Sequence, residues 1–238
     1  MADNRLIAAL DFHEMDEVKN FVEKLGDSVS CYKVGMELFY SVGAPVVAYL
    51  RSLNKDVFLD LKLHDIPNTT AEGLCSLLRL GANILDVHAS GGFTMMQTAA
   101  ERLKQTAAQL GIERPKLIAI TVLTSIHAAD WQGLGQHAPI QEQVVRLALL
   151  AQKAGLDGVV ASPQEAAAIR RACGPDFMIV TPGVRPAGAA LDDQSRIAAP
   201  AKALQDGASH LVIGRPIRAA ADPLAAVKKI TAEMETVQ

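Results

Sequence analysis

Eight short apolar runs, each followed by an amphipathic stretch, recur along the chain, and that alternation limits the folds open to it. The runs read as strands over Leu6–Asp11, Cys31–Met36, Val57–Lys62, Ile84–His88, Leu117–Thr124, Gly158–Ala161, Met178–Pro182 and Leu211–Gly214. The stretches read as helices over Glu14–Leu25, Ala44–Leu53, Thr70–Leu80, Thr94–Leu110, Ile140–Ala154, Pro163–Ala172, Pro200–Asp206 and Pro223–Met234. Gly or Asn stands just past several of them (Gly26, Asn54, Gly81, Gly111, Gly155, Gly174, Gly207), where a left-handed cap is needed. Strand followed by helix, repeated, predicts parallel βαβ units. In 238 residues their simplest closure is a single α/β domain, the (β/α)8 TIM barrel. An open doubly wound sheet is disfavoured, because Asp11-Phe12-His13-Glu14 stands where its glycine-rich first turn belongs.

Composition narrows the function classes. The chain is 50% hydrophobic but only 4% aromatic, which suits layers of branched side chains better than a base-stacking surface. A net charge of -3 argues against nucleic acid as a partner and leaves room for a local anion site. Cys31, Cys75 and Cys173 are odd in number, far apart and without metal-ligand spacing, so they read as reduced thiols. No signal-peptide pattern opens the sequence, and no apolar run approaches the ~20 residues that span a bilayer. A cytoplasmic protein with no membrane partner is expected.

The polar residues carry the chemistry. Positions two apart on a strand share a face, so Asp60 and Lys62 point together at the end of the Val57-Phe58-Leu59 run. Buried charge without a partner is expensive. A structural ion pair would explain one Asp-x-Lys, but other polar residues also fall at strand ends: Asp11, Lys33, Thr124, Pro182-Gly183-Val184-Arg185 and Gly214-Arg215. A barrel gathers them on one rim, where such folds hold their active sites. The ends of strands seven and eight form the usual phosphate site of the fold. There Arg185 offers a planar fork, Gly214 a close backbone approach and Arg215 a second cation. The irregular stretch from Gly183 to Ala199 has the length of a functional lid.

Lys33, Asp60, Lys62 and Asp65 alternate in sign and would form one hydrogen-bonded array. A lysine between carboxylates keeps its proton, which makes it a poor Schiff-base nucleophile and a good donor to a carbanion. Asp60 would face a substrate carboxylate. Two like charges about 4 Å apart repel by roughly 4 kcal/mol at an effective dielectric near 20. Loss of CO2 would relieve that repulsion, but the larger share of a decarboxylase's acceleration must come from stabilising the carbanion.

Asp60-Leu61-Lys62-Leu63-His64-Asp65-Ile66-Pro67-Asn68-Thr69, with Thr181-Pro182-Gly183-Val184-Arg185-Pro186 and Ile213-Gly214-Arg215-Pro216-Ile217, resembles the orotidine 5'-phosphate decarboxylase family in its bacterial-type branch. The resemblance extends through Ala9-Leu10-Asp11, Tyr32-Lys33-Val34-Gly35 and Val122-Leu123-Thr124-Ser125. It implies conversion of orotidine 5'-phosphate to UMP and CO2, the last step of pyrimidine nucleotide synthesis, with no metal or cofactor. Lys62 would protonate C6 of the pyrimidine, and Asp60 would lie against the departing carboxylate beside Lys33 and Asp65. Asp11 and Lys33 would contact the ribose, and Thr124 the pyrimidine. Arg185, Arg215 and the Gly214 backbone would hold the 5'-phosphate, with Gln194 bridging phosphate and base from a lid at about residues 183–199. Asp65 and Thr69 would reach the neighbouring subunit's site in a homodimer.

Two alternatives differ in kind. Mg2+-dependent sugar-phosphate decarboxylases and hexulose-phosphate synthases share the Asp-x-Lys-x-x-Asp strand, but an acidic metal ligand would be expected in place of Lys33. A silent nucleotide-binding barrel would have no use for the Asp60 charge against its ligand. His64 reads as structural, and His88, at the end of strand four, is left without a role.

Overall fold

The computed structural model describes residues 2–185 and 198–237. Eight strands pair in parallel in chain order: β1 (Leu6–Ala9), β2 (Cys31–Gly35), β3 (Asp56–Leu63), β4 (Ile84–His88), β5 (Lys116–Ile120), β6 (Gly158–Val160), β7 (Met178–Thr181) and β8 (His210–Ile213). Pairing of β8 with β1 closes the barrel. The helices are α1 (Met15–Leu25), α2 (Met36–Val42), α3 (Pro45–Ser52), α4 (Pro67–Leu78), α5 (Gly92–Leu110) and α6 (Ala128–Gly133). They continue with α7 (Ile140–Lys153), α8 (Pro163–Cys173), α9 (Pro200–Gln205), α10 (Arg215–Arg218) and α11 (Pro223–Glu235).

The two faces of each strand feed two cores. Leu6, Ala8, Leu10, Tyr32, Val34, Val57 and Leu59 pack outward in one cluster with helix residues such as Val18, Leu50, Leu74 and Leu103. Each Leu or Val among them, taken wholly out of water, contributes about 1.5–3 kcal/mol. A smaller cluster, built around Ile7, Ala9, Cys31, Phe58, Ile84, Ile118, Val180 and Val212, draws on strand residues alone and fills the barrel interior. Some inward columns climb from these apolar residues toward the C-terminal rim and turn polar there: Ile7, Ala9, Asp11 on one column and Phe58, Asp60 on another.

Local chemistry sets the element ends. Pro163 and Pro223 occupy first-turn positions, where a missing N–H does no harm. Ser162 accepts from the Gln164 N–H at 3.1 Å, and Asp222 accepts from Leu224 and Ala225 at 3.0 and 3.1 Å. All seven Gly and Asn residues expected to cap helices have positive φ.

Several boundaries differ from expectation. The first strand ends at Ala9 and the fifth at Ile120, so Asp11 and Thr124 stand in loops above their strands. Apolarity continues through Val122, which is why the fifth run reads longer than its ladder. Helices α2, α6 and α10 were not expected; α2 begins at Met36, where the second strand was read as ending. The stretch read as a lid falls mostly outside the described residues. Its two ends meet: Val184 bridges Ala198, and the Arg185 N–H donates to the Ala198 carbonyl at 3.0 Å.

Candidate active site

A cavity of ≈ 550 Å³ opens among the C-terminal ends of the strands. That volume lies within the roughly 300–1,000 Å³ common for small-ligand sites. Asp11, Lys33, Asp60, Lys62, Thr124, Arg185, Gly214 and Arg215 all line it, so the sequence-predicted rim is one place.

Asp60 lies at the centre of the charged wall, with only 7% of its surface exposed. Lys33 Nζ stands 3.4 Å from Asp60 Oδ2 and 3.6 Å from Asp11 Oδ1, while Lys62 Nζ makes a short ion pair with Asp60 Oδ1. Burial alone would raise the Asp60 pKa, but the lysines and a hydrogen bond from Asp86 outweigh it and hold the carboxylate ionised well below its usual range. Burial likewise works against the charge on Lys33, and the carboxylates of Asp60 and Asp11 overcome it, raising its pKa. The result is a fixed row of alternating charge facing the cavity. Close packing keeps it in place: a Cβ on Gly35 would come within 2.9 Å of Lys33 Nζ, and one on Gly214 within 3.0 Å of Asp11 Oδ2.

Lys62 is one of two non-glycine residues with positive φ among those described, at 53°. A lysine seldom adopts that region, and such outliers gather where a structure needs a side chain aimed against its backbone's preference. The simple parity that pairs Asp60 with Lys62 therefore reaches the right contact through a distorted backbone.

Arginines line the cavity as well. Arg185 is buried, and its Nε has no hydrogen-bond partner among the described residues, an arrangement that favours an anionic ligand. Arg215 and Arg218 line the same region, and the Arg218 guanidinium lies 5.7 Å from the centre of the Phe12 ring. Arg218 escaped the sequence reading because only the Gly-Arg pair marks that turn.

Asp65 and Thr69 are exposed and do not line the cavity of their own chain, so within one chain the expected four-membered array is a triad of Lys33, Asp60 and Lys62. Asp65 instead accepts from the Ile66 N–H at 2.7 Å. Gln194 lies outside the described residues. His64 and His88 lie against each other, 5.3 Å between ring centres, and neither lines the cavity. Burial, then His64 and Lys62, lower the His88 pKa. Cys31, Cys75 and Cys173 are buried free thiols, and burial pushes Cys31 up to about 12. Among the described residues no group of three or more His, Cys, Asp or Glu is placed to hold a metal ion, and no helix is long and apolar enough to cross a membrane.

Asp86 was missed. It stands fully buried on β4, touching both Asp60 and Lys62. The signal was present: an acid in the middle of the apolar run Ile84-Leu85-Asp86-Val87, two residues above the inward-facing Ile84.

Comparison with known proteins gives consistent likenesses over nearly the whole chain. The family model described as "Orotidine 5'-phosphate decarboxylase / HUMPS family" matches residues 4–230. An orotidine 5'-phosphate decarboxylase of Moorella thermoacetica is 49% identical over 100% of this chain and 94% of its own length. One from Geobacter sulfurreducens is 48% identical over 98% of this chain and 97% of its own. Among solved structures, an orotidine 5'-phosphate decarboxylase from Lactobacillus acidophilus superposes with a TM-score of 0.85 at 40% identity, covering 98% of this chain and 99% of that one. An uncharacterised conserved protein from Geobacillus kaustophilus gives 0.84 at 40% identity, covering 96% and 99%.

Proposed function

The chain belongs to the orotidine 5'-phosphate decarboxylase / HUMPS family, and from that premise we propose that it converts orotidine 5'-phosphate to UMP and CO2 in pyrimidine nucleotide synthesis. The observation that carries the reading is the buried Asp60 carboxylate, clamped by Lys33 and Lys62 inside a cavity that Arg185, Arg215 and Arg218 also line. A ligand with a carboxylate at one end and a phosphate at the other matches that charge pattern.

In this reading Arg185 and Arg215 take the phosphate, with the Gly214 backbone close beside them. Asp11 and Lys33 take the ribose hydroxyls and Thr124 the pyrimidine. Gln194 would bridge phosphate and base from a closing segment at about 183–199; this assignment comes from the resemblance alone. The substrate carboxylate lies against Asp60. Its C–C bond breaks, CO2 departs, and the electron pair stays on C6. The Lys62 ammonium stabilises that charge and then delivers its proton to C6, and solvent reprotonates the amine. Relief of the Asp60 repulsion, about 4 kcal/mol at 4 Å, is smaller than the ≈ 8–23 kcal/mol that enzymes typically supply. The remainder has to come from stabilising the carbanion, by Lys62 together with closure on the phosphate.

The site is completed by a second copy. Asp65 and Thr69 are exposed here, and between them lies Ile66, an isoleucine with 68% of its surface uncovered. A homodimer would cover that residue and carry Asp65 and Thr69 to the neighbouring cavity. A metal-dependent sugar-phosphate chemistry fits less well, because the Lys33 ammonium already stands between Asp11 and Asp60.

The test follows the ultraviolet absorbance of orotidine 5'-phosphate with purified protein, once with excess EDTA and once with Mg2+. Conversion to UMP that ignores the chelator is expected. No conversion in either condition would overturn the reading, and activity only with Mg2+ on a sugar phosphate would replace it.

A further inference from the structure

Asp86, with no surface exposed, is the most enclosed charged residue among those described. It does not line the cavity but lies beneath its charged wall. The β3–β4 pairing jumps at this point. Leu59 pairs with Leu85 and Leu63 with Val87, so Asp60, Leu61 and Lys62 stand opposite Asp86 alone. Surplus residues in one strand lose ladder partners, and a buried N–H must be satisfied elsewhere. Here the Lys62 N–H donates to Asp86 Oδ1 at 2.8 Å, at the residue whose φ is 53°. The side chain of β4 thus closes the distorted turn that aims the lysine.

Asp86 also faces Asp60, and their interaction lowers the pKa of Asp60 while raising that of Asp86, as a hydrogen bond between the two carboxyl groups would. Two carboxyl groups can share one only if one of them carries the proton. Asp60 already faces the ammonium groups of Lys33 and Lys62, whereas among the described residues no donor is directed at Asp86 Oδ2. Burial and the Asp60 charge both hold the Asp86 pKa well above the ordinary range.

We propose that Asp86 is a positioning residue: as a neutral acid it fixes the turn at Lys62 and donates to Asp60, so that Asp60 alone carries the negative charge set against the ligand. This inference rests on reading the cavity as a decarboxylase site. It makes a specific distinction between two substitutions. In Asp86→Asn the amide oxygen can accept from Lys62 and the amide N–H can donate to Asp60. Asp86→Ala removes both bonds.

The experiment compares steady-state decarboxylation by wild type, Asp86→Asn and Asp86→Ala, with UMP titration and thermal unfolding alongside. Asp86→Asn is expected within about threefold of wild type in kcat. Asp86→Ala is expected to lose at least about thirtyfold in kcat, with KM and UMP affinity within about threefold, as when an interaction specific to the transition state is removed. Wild-type turnover in Asp86→Ala would overturn the positioning role, and an Asn variant as impaired as Ala would overturn the neutral acid. If Asp86→Ala does not fold, the infrared difference spectrum of wild type minus Asp86→Asn still decides. The carbonyl band of a protonated carboxyl must be present at neutral pH, and its absence refutes the assignment. A wild-type chain that shows this band yet leaves orotidine 5'-phosphate unchanged would fail the decarboxylase reading, not the proton assignment.

Discussion

Asp60 is ionised at the end of an apolar column because ammonium groups reach it from two strands, Lys33 on β2 and Lys62 on β3. Lys62 can be removed without stranding that charge, since Lys33 remains 3.4 Å away. Lys62→Ala should therefore fold and bind UMP within a few-fold of wild type, while kcat falls by at least about the 10²–10⁴-fold typical of a lost general acid. Single-turnover absorbance and UMP titration measure both, and a variant keeping most of its turnover would remove Lys62 from the proton transfer. Arg185 makes the complementary case at the phosphate end. Losing a hydrogen bond to a charged group costs about 1.5–3 kcal/mol, so Arg185→Ala should weaken UMP by about 10–150-fold and uridine hardly at all. Equal losses on both ligands would place the guanidinium elsewhere.

At the scale of elements, β6 shows how a three-residue strand is held in a closed barrel. Gly158 opens it with β7 so close that a Cβ would lie 2.2 Å from the Met178 carbonyl oxygen. Gly158→Ala must push those strands apart. An unfolding free energy lower by about 1–3 kcal/mol, at unchanged denaturant slope, is the expected outcome; an unchanged midpoint would mean that the strands yield freely. Just before it, Asp157 takes both arms of Arg114, at 2.8 and 2.7 Å, and the Leu117 N–H at 2.8 Å. Burial opposes its charge, but Arg114 and Leu117 prevail and its pKa is lowered. A carboxylate depressed on folding stabilises the fold above its unfolded pKa, and that contribution is lost as pH falls through the folded value. Asp157→Asn should thus lower the melting temperature at pH 7 and lose that deficit on acidification below about pH 4. A deficit constant with pH would assign the loss to packing. Both contacts lie outside what a sequence displays, because they depend on register between strands. What the sequence does display is period. The twofold alternation placed Asp60 and Lys62 on one wall, and the strand-helix rhythm gave the barrel. It misplaced the ends at Asp11 and Thr124, because apolarity outlasts the ladder. It passed over Asp86, because an apolar run reads as uniformly buried and the bulge opposite it has no local signature.

For the molecule as a whole, the open question is where Asp65 acts, since its exposed side chain misses the cavity beside which Lys62 lies three residues away. Chain reach explains the miss: after Leu63 the backbone turns outward into α4, taking Asp65 and Thr69 to the surface with the exposed Ile66. If that surface meets its own copy about a twofold axis, each cavity combines Lys62 of one chain with Asp65 of the other. Lys62→Ala and Asp65→Ala would then each be inactive alone. Mixed after unfolding, or by slow exchange, equal amounts pair at random, and about half of the dimers contain one of each. In such a dimer one cavity carries both lesions and the other none, so activity should return to about a quarter of wild type per chain. Ile66→Glu provides the second arm: it should yield monomers by sedimentation and abolish turnover in the same sample. A mixture that stays inactive while its subunits demonstrably exchange would place Asp65 in the cavity of its own chain or outside the chemistry altogether.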